Sequence, residues 1–551
     1  MSISENNTGR APFKIRVLEK NVLYLGQTTA PKKKFLEVPL KLKLMRHIHF
    51  FKFKQTFIFI CILFFFSQLN AAPKKLTINE AEFRDRVYAC WLGKNIGGTL
   101  GMPFEGKTDV NNITFYTKIK EGEPAANDDL DLQILWLKAM EENNYRVDAY
   151  TLGEYWLKYV PVDWNEYGVG KVNMRLGIMP PLSGEYNNAK WKTSNGAWIR
   201  SEIWACLAPG NPMLAAQFAW NDASVDHGCT EGTFAEIFTA TLESAAFIEK
   251  DRDKLIQFAL SMIPGDCRVA IAVNTAVEAK KSGKTWQQAR ESVITVTEDL
   301  GWFQAPRNVS FTMIGWLYGD GDFGKSICIA VNCGDDTDCT GATLGSILGI
   351  VYGTSIIPEK WRAPIGDGIK TVAISGFEVP ATLQALTDKT VAAQKKVAEL
   401  YQSPLKVTPG KTNLSDSHEL LAINKNELSQ IWQRSPYQIT RNTNELSFTC
   451  DYAGTPEILI GESKVLNISI VNKTNKEKLI SLNLKNVPAE YSVKGMPDGL
   501  LKISPNAKYD VALSFIASPG ANNAKFIAEI NDAGKTLDMQ LGIINKNLQK
   551  K

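Results

Sequence analysis

Histidine is scarce in this chain, with four residues among 551. Two of them lie before residue 72, so only His227 and His418 remain in the rest of the sequence. The nine cysteines never form a CxxC pair, and even the densest group is unevenly spaced: Cys328, Cys333 and Cys339. Because zinc sites are usually built from histidine and cysteine at short regular spacings, this composition disfavours zinc.

A nucleotide-binding loop is also absent. Residues 93–101 are rich in glycine and follow a predicted helix at 80–92, so we expect a turn that lets the backbone approach a ligand. The segment lacks the Lys-Ser/Thr pair that ends a phosphate-binding loop, which excludes a P-loop.

Long apolar runs are missing too. The run TFIFICILFFF at residues 56–66 is too short to span a membrane comfortably. It follows Lys52 and Lys54 and leads into small residues that end at Ala72, which is the pattern of a secretory signal peptide. We therefore predict a signal peptide at 45–72 and a mis-assigned start or disordered tail at 1–44. The expected location is the periplasm or the cell exterior, with no membrane span after cleavage.

A strong excess of positive charge is absent once the leader is set aside. The whole chain has 62 basic and 58 acidic residues, but without residues 1–72 the counts are 50 and 55. A slightly acidic chain gives no electrostatic reason to bind nucleic acid. We expect a small-molecule or glycan substrate, and the sequence does not determine the oligomeric state.

Carboxylates are concentrated just before a small-residue segment near residue 340. Asp335, Asp336 and Asp338 precede glycine, alanine and serine residues at helical spacing over 341–349. Three neighbouring aspartates repel one another unless a cation or several hydrogen-bond donors absorb their charge. The pattern indicates a hard-metal site at a helix start, and the alternative is helix capping with a tight turn.

A second acidic cluster lies about 200 residues earlier. Asn127, Asp128, Asp129 and Asp131 stand at the start of a segment, 130–143, whose apolar residues recur at helical spacing. Alone, this cluster would be interpreted as a helix cap aided by the helix dipole. Two such clusters can converge in the fold on one or two divalent ions.

Four blocks of the sequence, in order, carry a resemblance to a known family. They are GGTLGMPFE at 97–105, NDDLD at 127–131, SNGAWIR at 194–200 and GDDTDC at 334–339. With these blocks the chain resembles the ADP-ribosylglycohydrolase family, which includes dinitrogenase-reductase-activating glycohydrolase and the crystallin J1 relatives. The resemblance covers about residues 78–353.

The resemblance implies an all-α fold with a two-metal centre, usually Mg²⁺ or Mn²⁺, that cleaves a glycosidic bond at C1 of a ribofuranose. It implies metal-ligand aspartates at four positions: Asp128, Asp129, Asp336 and Asp338. Glu105 corresponds to the family's mobile active-site glutamate, and Asn195 and Gly196 correspond to its substrate loop. His227 lies where the family often places a histidine near the substrate.

The chain also departs from the family pattern. Asn127 and Cys339 stand where the family has threonines, the second of them a metal ligand. Asn127 retains an oxygen ligand, whereas the sulfur of Cys339 is softer than hard cations favour. Asp131 and Asp335 are additional carboxylates, so we include them with Glu105 as candidates for acid–base catalysis. These departures count against ADP-ribose as the substrate.

An aromatic and amide-rich segment occupies residues 161–198 and includes Trp164 and Trp198. Aromatic faces stack on sugars and amides bond their hydroxyls, so a carbohydrate-binding wall is one interpretation. A long irregular loop pinned by its own aromatic residues is the other.

The rest of the sequence divides into a helical and a strand-rich part. Helices are predicted at 200–208, 212–223, 231–249, 252–262, 268–282, 285–300 and 387–402. From about residue 446 the hydrophobic period changes to two, which predicts short strands and an immunoglobulin-like β-sandwich. The predicted domains are therefore an all-α domain at 73–403, a linker at 404–445 and the sandwich at 446–551.

Three functions remain open. The first is an exported metal-dependent glycosyl hydrolase that acts on an N- or O-glycosidic bond at a furanose-type sugar of a glycan or glycoside. The second is an ADP-ribosyl-protein hydrolase. The third is a non-catalytic carbohydrate-binding protein that retains the fold.

Overall fold

Two long helices form the centre of the helical region. The computed structural model describes residues 76–459 and 461–546; the predicted signal peptide and the segment before it lie outside them. Helix α1, Glu80–Gly101, is buried along most of its length, and Thr337–Tyr352 is buried at every residue except the last. The second helix is buried on all sides, as expected for a helix that other helices surround.

Seventeen α-helices are present in the described residues. In chain order α1 to α17 are Glu80–Gly101, Asp128–Glu142, Ala149–Tyr159, Asn165–Arg175, Leu182–Glu185, Glu202–Leu207, Pro212–Ala223, Glu231–Ala246, Arg252–Ser261, Arg268–Lys281, Trp286–Val296, Ala305–Tyr318, Phe323–Asn332, Thr337–Tyr352, Glu359–Arg362, Leu383–Leu400 and Lys425–Trp432.

Two predictions of local structure are wrong. Residues 93–101 are not a glycine-rich turn but the second half of α1, and residues 161–198 are not one irregular loop, because α4 and α5 lie within them. Glycine has low intrinsic helix propensity, so a helix rich in glycine is difficult to predict locally. Here the packing of α1 on α14 favours the helix.

Glycines allow α1 and α14 to run antiparallel in very close contact. A Cβ atom on Gly93 would lie 2.1 Å from the carbonyl oxygen of Gly345, and one on Gly101 would lie 2.1 Å from that of Thr337. No side chain fits between the two backbones at these points. The C-terminal end of α1 therefore lies against the N-terminal end of α14, where the second acidic cluster begins.

Twelve β-strands are found in the described residues. They are β1 to β12 in chain order: Leu76–Asn79, Leu405–Thr408, Gln438–Asn442, Leu446–Asp451, Glu457–Ile458, Ser463–Asn472, Lys478–Lys485, Tyr491–Lys494, Leu501–Ile503, Lys508–Ala517, Ala524–Asp532 and Lys535–Asn545. Strands β1 and β2 pair in parallel beside the helical region. Strand β3, inside the predicted linker, pairs with β4 and so begins the strand-rich region.

The strand-rich region consists of two five-stranded sheets with the orders β3-β4-β6-β10-β8 and β5-β12-β11-β7-β9. Alternate residues of the long strands are buried, as in Ser463–Asn472 and Lys508–Ala517, because each sheet has one inner face. Phe515 and Phe526, one from each sheet, stack with ring centroids 4.9 Å apart. The inner faces of the two sheets therefore pack on each other.

The strand-rich region packs on the helical region through strand β12. The backbone N–H of Gln540 donates to the hydroxyl of Tyr150 at 2.8 Å, and a Cβ on Gly542 would lie 2.2 Å from the carbonyl oxygen of Leu176. The two regions belong to one compact unit. Among the described helices, none is both long and apolar enough to cross a membrane.

Candidate metal centre

The N-terminal end of α14 positions the later acidic cluster. The hydroxyl of Thr337 donates to the carbonyl oxygen of Gly101 at 2.8 Å, which joins this end of α14 to the end of α1. The backbone N–H of Asp336 donates to Oδ1 of Asn308 at 3.1 Å. Asp336 and Asp338 are thereby held on a buried, rigid helix start.

Helix α2 positions the earlier cluster. Asn127 caps this helix, since its Oδ1 accepts from the backbone N–H of Asp129 at 2.9 Å. Nδ2 of Asn127 donates to Oδ2 of Asp338 at 3.3 Å. One amide side chain thus connects the two acidic clusters, which are separated by about 200 residues in sequence.

The two clusters converge into a pair of three-residue groups that share one carboxylate. Glu105, Asp336 and Asp338 offer ligand atoms within 4.8 Å of one another, and so do Asp129, Asp338 and Cys339. Asp338 belongs to both groups. The arrangement can therefore accommodate two neighbouring cations bridged by one aspartate, or a single cation in either position.

Several oxygens in these groups accept no hydrogen bond from the residues that the structure describes. Oδ2 of Asp129, Oδ1 of Asp336 and Oδ1 of Asp338 are buried and accept no hydrogen bond. A buried carboxylate oxygen without a donor is costly, and oxygen ligands are those that Mg²⁺ and Mn²⁺ prefer. The residues therefore fit a hard divalent cation.

The electrostatics of the cluster are consistent with this fit. Burial and the proximity of Asp338 raise the pKa of Asp336 well above its usual value. Burial also raises the pKa of Asp129 well above its usual value, although the ammonium of Lys94 lies 3.7 Å from its Oδ2. Protein cations alone thus leave much of the negative charge uncompensated.

Glu105 lies at the solvent-exposed edge of the cluster. Partial burial, followed by the charges of Asp338 and Asp128, raises its pKa to about 7. Two backbone hydrogen bonds hold the loop that follows Glu105. The N–H of Gly106 donates to the carbonyl oxygen of Asp335 at 2.9 Å, and the N–H of Asp335 donates to the carbonyl oxygen of Lys107 at 2.8 Å. Glu105 is therefore a carboxylate that can hold or release a proton near neutral pH beside the centre.

Asn127 and Cys339 are the two predicted ligands that depart from the family pattern. Both lie at the acidic cluster, but they present different atoms to it. Asn127 directs its nitrogen, rather than an oxygen, toward Asp338, because its oxygen caps α2. The thiol of Cys339 donates to Oδ1 of Asp129 at 3.5 Å, and burial beside Asp129 and Asp336 raises its pKa well above the usual value. The thiol is thus protonated while no cation is near it.

Asp128, the remaining predicted ligand, is close to the centre but outside both three-residue groups. Its Oδ2 accepts a hydrogen bond from the hydroxyl of Tyr167 at 2.8 Å. Its charge contributes to the raised pKa of Glu105. Asp128 therefore lies on the side of the cluster that faces α4.

The structure does not bring Asp131 and Asp335 into either group. Oδ2 of Asp131 accepts from the backbone N–H groups of Val372 and Ala373 at 2.7 and 2.6 Å. Oδ2 of Asp335 forms an ion pair with Arg307 at 3.2 Å, and its backbone adopts a positive φ of 64°. Asp131 thus holds a loop and Asp335 pairs with α12, which gives neither carboxylate an evident position for acid–base work.

The predicted substrate residues divide into buried and exposed members. Nδ2 of Asn195 donates to Oδ2 of Asp336 at 2.8 Å, and Trp198 donates from its indole to Oδ1 of Asn195 at 3.0 Å. Gly196 leaves no room for a side chain, since a Cβ would lie 2.1 Å from Oε1 of Glu166. Trp198 and Asn195 are fully buried, so in this structure they support Asp336 rather than line an open surface.

His227 and Trp164 also differ in exposure. His227 is buried, with Nδ1 at 2.8 Å from Asp226 and Nε2 at 3.1 Å from the hydroxyl of Ser194. Trp164 is 44% exposed and stacks on Tyr167, with ring centroids 6.3 Å apart. Because Tyr167 binds Asp128, Trp164 is the predicted aromatic residue that presents a surface near the acidic centre.

The predicted site residues do not include three residues that contact the centre: Tyr167, Asn308 and Lys94. A lysine among the apolar residues and glycines of a buried helix is the signal that could have indicated Lys94. Tyr167 lies in the aromatic-rich segment but carries no motif. Nothing in the local sequence around Asn308 indicates its contact with Asp336.

Comparison with models of protein families gave a match to the helical region. The family model for ADP-ribosylglycohydrolase matches residues 79–399, more than half of the chain. Comparison with curated proteins gave no match.

Comparison with solved structures gave matches at low sequence identity. An ADP-ribosylglycohydrolase-related protein complex is 19% identical, covering 58% of this chain and 99% of that one, with a TM-score of 0.40. A FixG-related protein from Vibrio parahaemolyticus is 16% identical over 18% of this chain and 94% of its own, with a TM-score of 0.15. The α-2-macroglobulin of E. coli is 15% identical over 20% of this chain and 7% of its own, with a TM-score of 0.16.

The family model, whose matched range includes both acidic clusters, identifies the class of protein. This chain belongs to the ADP-ribosylglycohydrolase family, with a helical domain followed by a strand-rich region of two sheets. Membership of this family suggests glycohydrolase activity. The family is typically metal-dependent, and the acidic groups around Asp338 are where a metal could bind.

Proposed function

We propose that this protein is an exported, metal-dependent glycosyl hydrolase that cleaves an N- or O-glycosidic bond at a furanose-type sugar of a glycan or glycoside. The observation that carries the proposal is the convergence of two acidic clusters on a shared Asp338, with unpartnered buried oxygens on three aspartates. Such a site has little use in a purely structural protein, because it leaves buried charge uncompensated.

The residues around Asp338 have distinct roles in this proposal. Asp129, Asp336 and Asp338 would hold one or two Mg²⁺ or Mn²⁺ ions, with Asp128 beside them. When bound, the metal supplies positive charge near the sugar hydroxyls and near the charge that develops at the anomeric carbon. Asn195 and Tyr167 orient the carboxylates of Asp336 and Asp128 through hydrogen bonds.

Glu105 is the acid–base residue of the proposal. Its carboxyl lies within ligand distance of Asp336 and Asp338 and has a pKa of about 7, so it can take a proton from water or return one to the leaving group near neutral pH. The exposed ring of Trp164 provides an apolar face for the sugar beside Asp128.

Hydrolysis of a defined panel tests the proposal. Furanosyl glycans and glycosides are incubated with the protein alongside ADP-ribosyl-arginine and ADP-ribosyl-serine, with EDTA, Mg²⁺ or Mn²⁺. We expect metal-dependent release of a furanose and loss of turnover in Glu105→Gln, whereas Glu121→Gln, an exposed carboxylate between α1 and α2, should be active. Metal-independent hydrolysis, or an unaffected Glu105→Gln variant, would contradict the mechanism.

The family match favours a second candidate, an ADP-ribosyl-protein hydrolase. Release of ADP-ribose alone from the same panel would establish it in place of the first. Absence of all turnover, with sugar binding that persists when Asp128 and Asp336 are both changed to Ala, would instead indicate a carbohydrate-binding protein.

Export and the type of β-domain are part of the proposal. The signal-like segment at 45–72 supports export, and N-terminal sequencing of protein recovered from the periplasm or medium should give a start near residue 73. Two five-stranded sheets with stacked inner faces support an immunoglobulin-like sandwich. A crystal structure of the whole chain tests that classification.

A further inference from the structure

A polar cleft with a volume of about 620 Å³ lies where the helical region meets the first β-sheet. Its walls come from five segments: the start of α3, the C-terminal half of α7, the segment after α17, strand β3 and the turn after β6. No member of the two acidic groups lines it. The cleft is therefore separate from the candidate metal centre.

Three cations line this cleft without a carboxylate partner. Arg146, Arg434 and Lys473 all face it, and in the part of the chain that the structure describes none of them has a carboxylate oxygen within 4.0 Å. Arg434 is half-buried, and its guanidinium lies over the ring of Trp220 at 4.8 Å from the centroid. This stacking holds an unpaired guanidinium at the cleft wall.

Asp148, a carboxylate that lines the cleft, already accepts hydrogen bonds within the protein. Oδ1 of Asp148 accepts from both the backbone N–H and the hydroxyl of Thr151 at 2.9 Å, as the cap of α3. Its Oδ2 accepts from the backbone N–H of Asn442 at 3.0 Å. Asp148 therefore joins the helical region to strand β3, and its hydrogen bonds reduce what it offers to the nearby cations.

Lys473 is oriented toward the cleft by neutral groups. Its ammonium donates to Oδ1 of Asn442 at 2.7 Å and to the carbonyl oxygen of Thr443 at 3.2 Å. These contacts fix the position of the charge without neutralising it. Partial burial lowers the pKa of both Lys473 and Arg434, and the charge of Asp148 opposes the shift at Lys473.

The rest of the lining is suited to hydroxyl groups. Gln217, Asn221, Gln438 and Thr440 line the cleft together with Tyr401. One N–H of Asn221 donates to Val147, one of Gln438 donates to Asp451, and the Thr440 hydroxyl pairs with that of Thr449, which leaves the remaining amide N–H groups and oxygens for a ligand. Such groups can both donate to and accept from sugar hydroxyls, and they add no charge. The cleft combines fixed positive charge with many neutral hydrogen-bonding groups.

We propose that this cleft binds an anionic saccharide, a sugar chain that carries carboxylate or sulfate groups. Arg434, Arg146 and Lys473 pair with the oxyanions, and the amides hold the ring hydroxyls. The site needs both regions of the protein, because Arg146 belongs to the helical region and Lys473 to the sheet. Bound saccharide would thus hold a polymeric substrate or anchor near the enzyme without occupying the metal centre.

Calorimetry on the full chain tests the proposal with three hexasaccharides: oligogalacturonate, a heparin-derived hexamer and neutral maltohexaose. We expect one or both anionic probes to bind, with affinity that decreases as salt is raised, and maltohexaose to bind much more weakly. Preference between the carboxylated and sulfated probes identifies the source of the oxyanion. Equal affinity for maltohexaose, or no binding of either anionic probe at millimolar concentration, would overturn the proposal.

Charge-removing variants locate the binding. Arg434→Met retains packing against Trp220, and Lys473→Gln alters an exposed side chain; each should weaken the anionic probe by about tenfold or more, since each loses a charge-assisted contact. Lys494→Gln, an exposed lysine of β8 outside the cleft, is the matched control and should bind like wild type. An equal loss in all three variants would refute the assignment, and unchanged melting temperatures would show that each variant is folded.

Discussion

Gly97 and Gly341 face each other backbone to backbone, since a Cβ atom on Gly97 would lie 2.0 Å from the carbonyl oxygen of Gly341. The acidic ends of α2 and α14 can meet only because α1 and α14 pack at this distance. Neither glycine has a positive φ, so the requirement is one of space rather than of backbone conformation. The metal centre thus depends on a contact between two glycines, one of which lies within a single turn of Asp338 on α14.

The variant Gly97→Ala should destabilise the protein by roughly 1–3 kcal/mol, because overpacking exceeds the gain in helix propensity from glycine to alanine. Urea denaturation measures the change. Gly265→Ala is the control, as a Cβ there meets nothing within 4 Å, and its free energy of unfolding should hardly change. A neutral Gly97→Ala would mean that the two helices separate readily.

The variant Asp338→Asn should abolish the stabilisation that Mg²⁺ or Mn²⁺ gives to the folded protein. Wild type should gain about 2.7 kcal/mol when the ion is at one hundred times its dissociation constant, and the variant should gain little, because Asp338 belongs to both groups. Thermal melting with and without metal measures this gain. Asp85→Asn, which changes a carboxylate that binds Thr354, should respond to metal like wild type.

The variant Tyr167→Phe should weaken metal binding by about tenfold to a hundredfold, the usual effect of removing a group that orients a ligand. Only the hydroxyl that donates to Asp128 is lost, so the ring stack with Trp164 is retained. Titration with Mn²⁺ gives the affinity. Tyr88→Phe removes a similar hydrogen bond to Asp367, away from the centre, and should leave the affinity unchanged.

The variant Cys339→Thr should bind Mg²⁺ more tightly and Cd²⁺ more weakly than wild type. The sulfur of Cys339 lies within 4.8 Å of oxygens of Asp129 and Asp338, and hydroxyl oxygen is the harder ligand. Competition between the two ions for the protein reports the preference. Identical preferences in both proteins would show that Cys339 does not contact the ion.

Glu166 should make the stability of the protein depend on pH. Burial, with a smaller contribution from Asp226, raises its pKa to about 7, while the nearby His227 opposes the rise. A carboxyl whose folded-state pKa is raised stabilises the fold below its unfolded pKa, about 4.3, and this contribution is lost as pH rises through about 7. The loss is at most about 4 kcal/mol.

Glu166→Gln isolates this contribution. The variant should gain stability relative to wild type as pH increases from about 4.5 to 7, and the difference should then stay constant. Urea denaturation over that range provides both curves. A constant difference throughout would mean that Glu166 has the same pKa in the folded and unfolded states.

Local sequence patterns predicted much of the helical framework but not its close contacts. The helix at 212–223 lies where it was predicted, and the strands from residue 446 follow the period of two. The prediction failed for residues 93–101, where glycine composition indicated a turn. In the folded chain, contact with Gly341 and Gly345 requires those glycines within a helix.

The candidate site was also predictable in part, because some of its features are local patterns. Two aspartate clusters at helix starts are a local pattern, and their family resemblance indicated that they meet. Nothing local showed that Asn127 turns its nitrogen to Asp338, that backbone N–H groups of a loop bind Asp131, or that Arg307 of α12 pairs with Asp335. Those outcomes depend on which donors the surrounding elements bring near each carboxylate.

The amino-acid order alone thus specified the acidic helix starts, the small-residue helix and the change from helical to strand periodicity, because each depends on neighbours in the chain. Tertiary packing decided which oxygens remain unpartnered, which carboxylate both groups share, and that a cationic cleft forms between the two regions. Contacts across hundreds of residues result from close packing of whole elements, and no short segment contains that information.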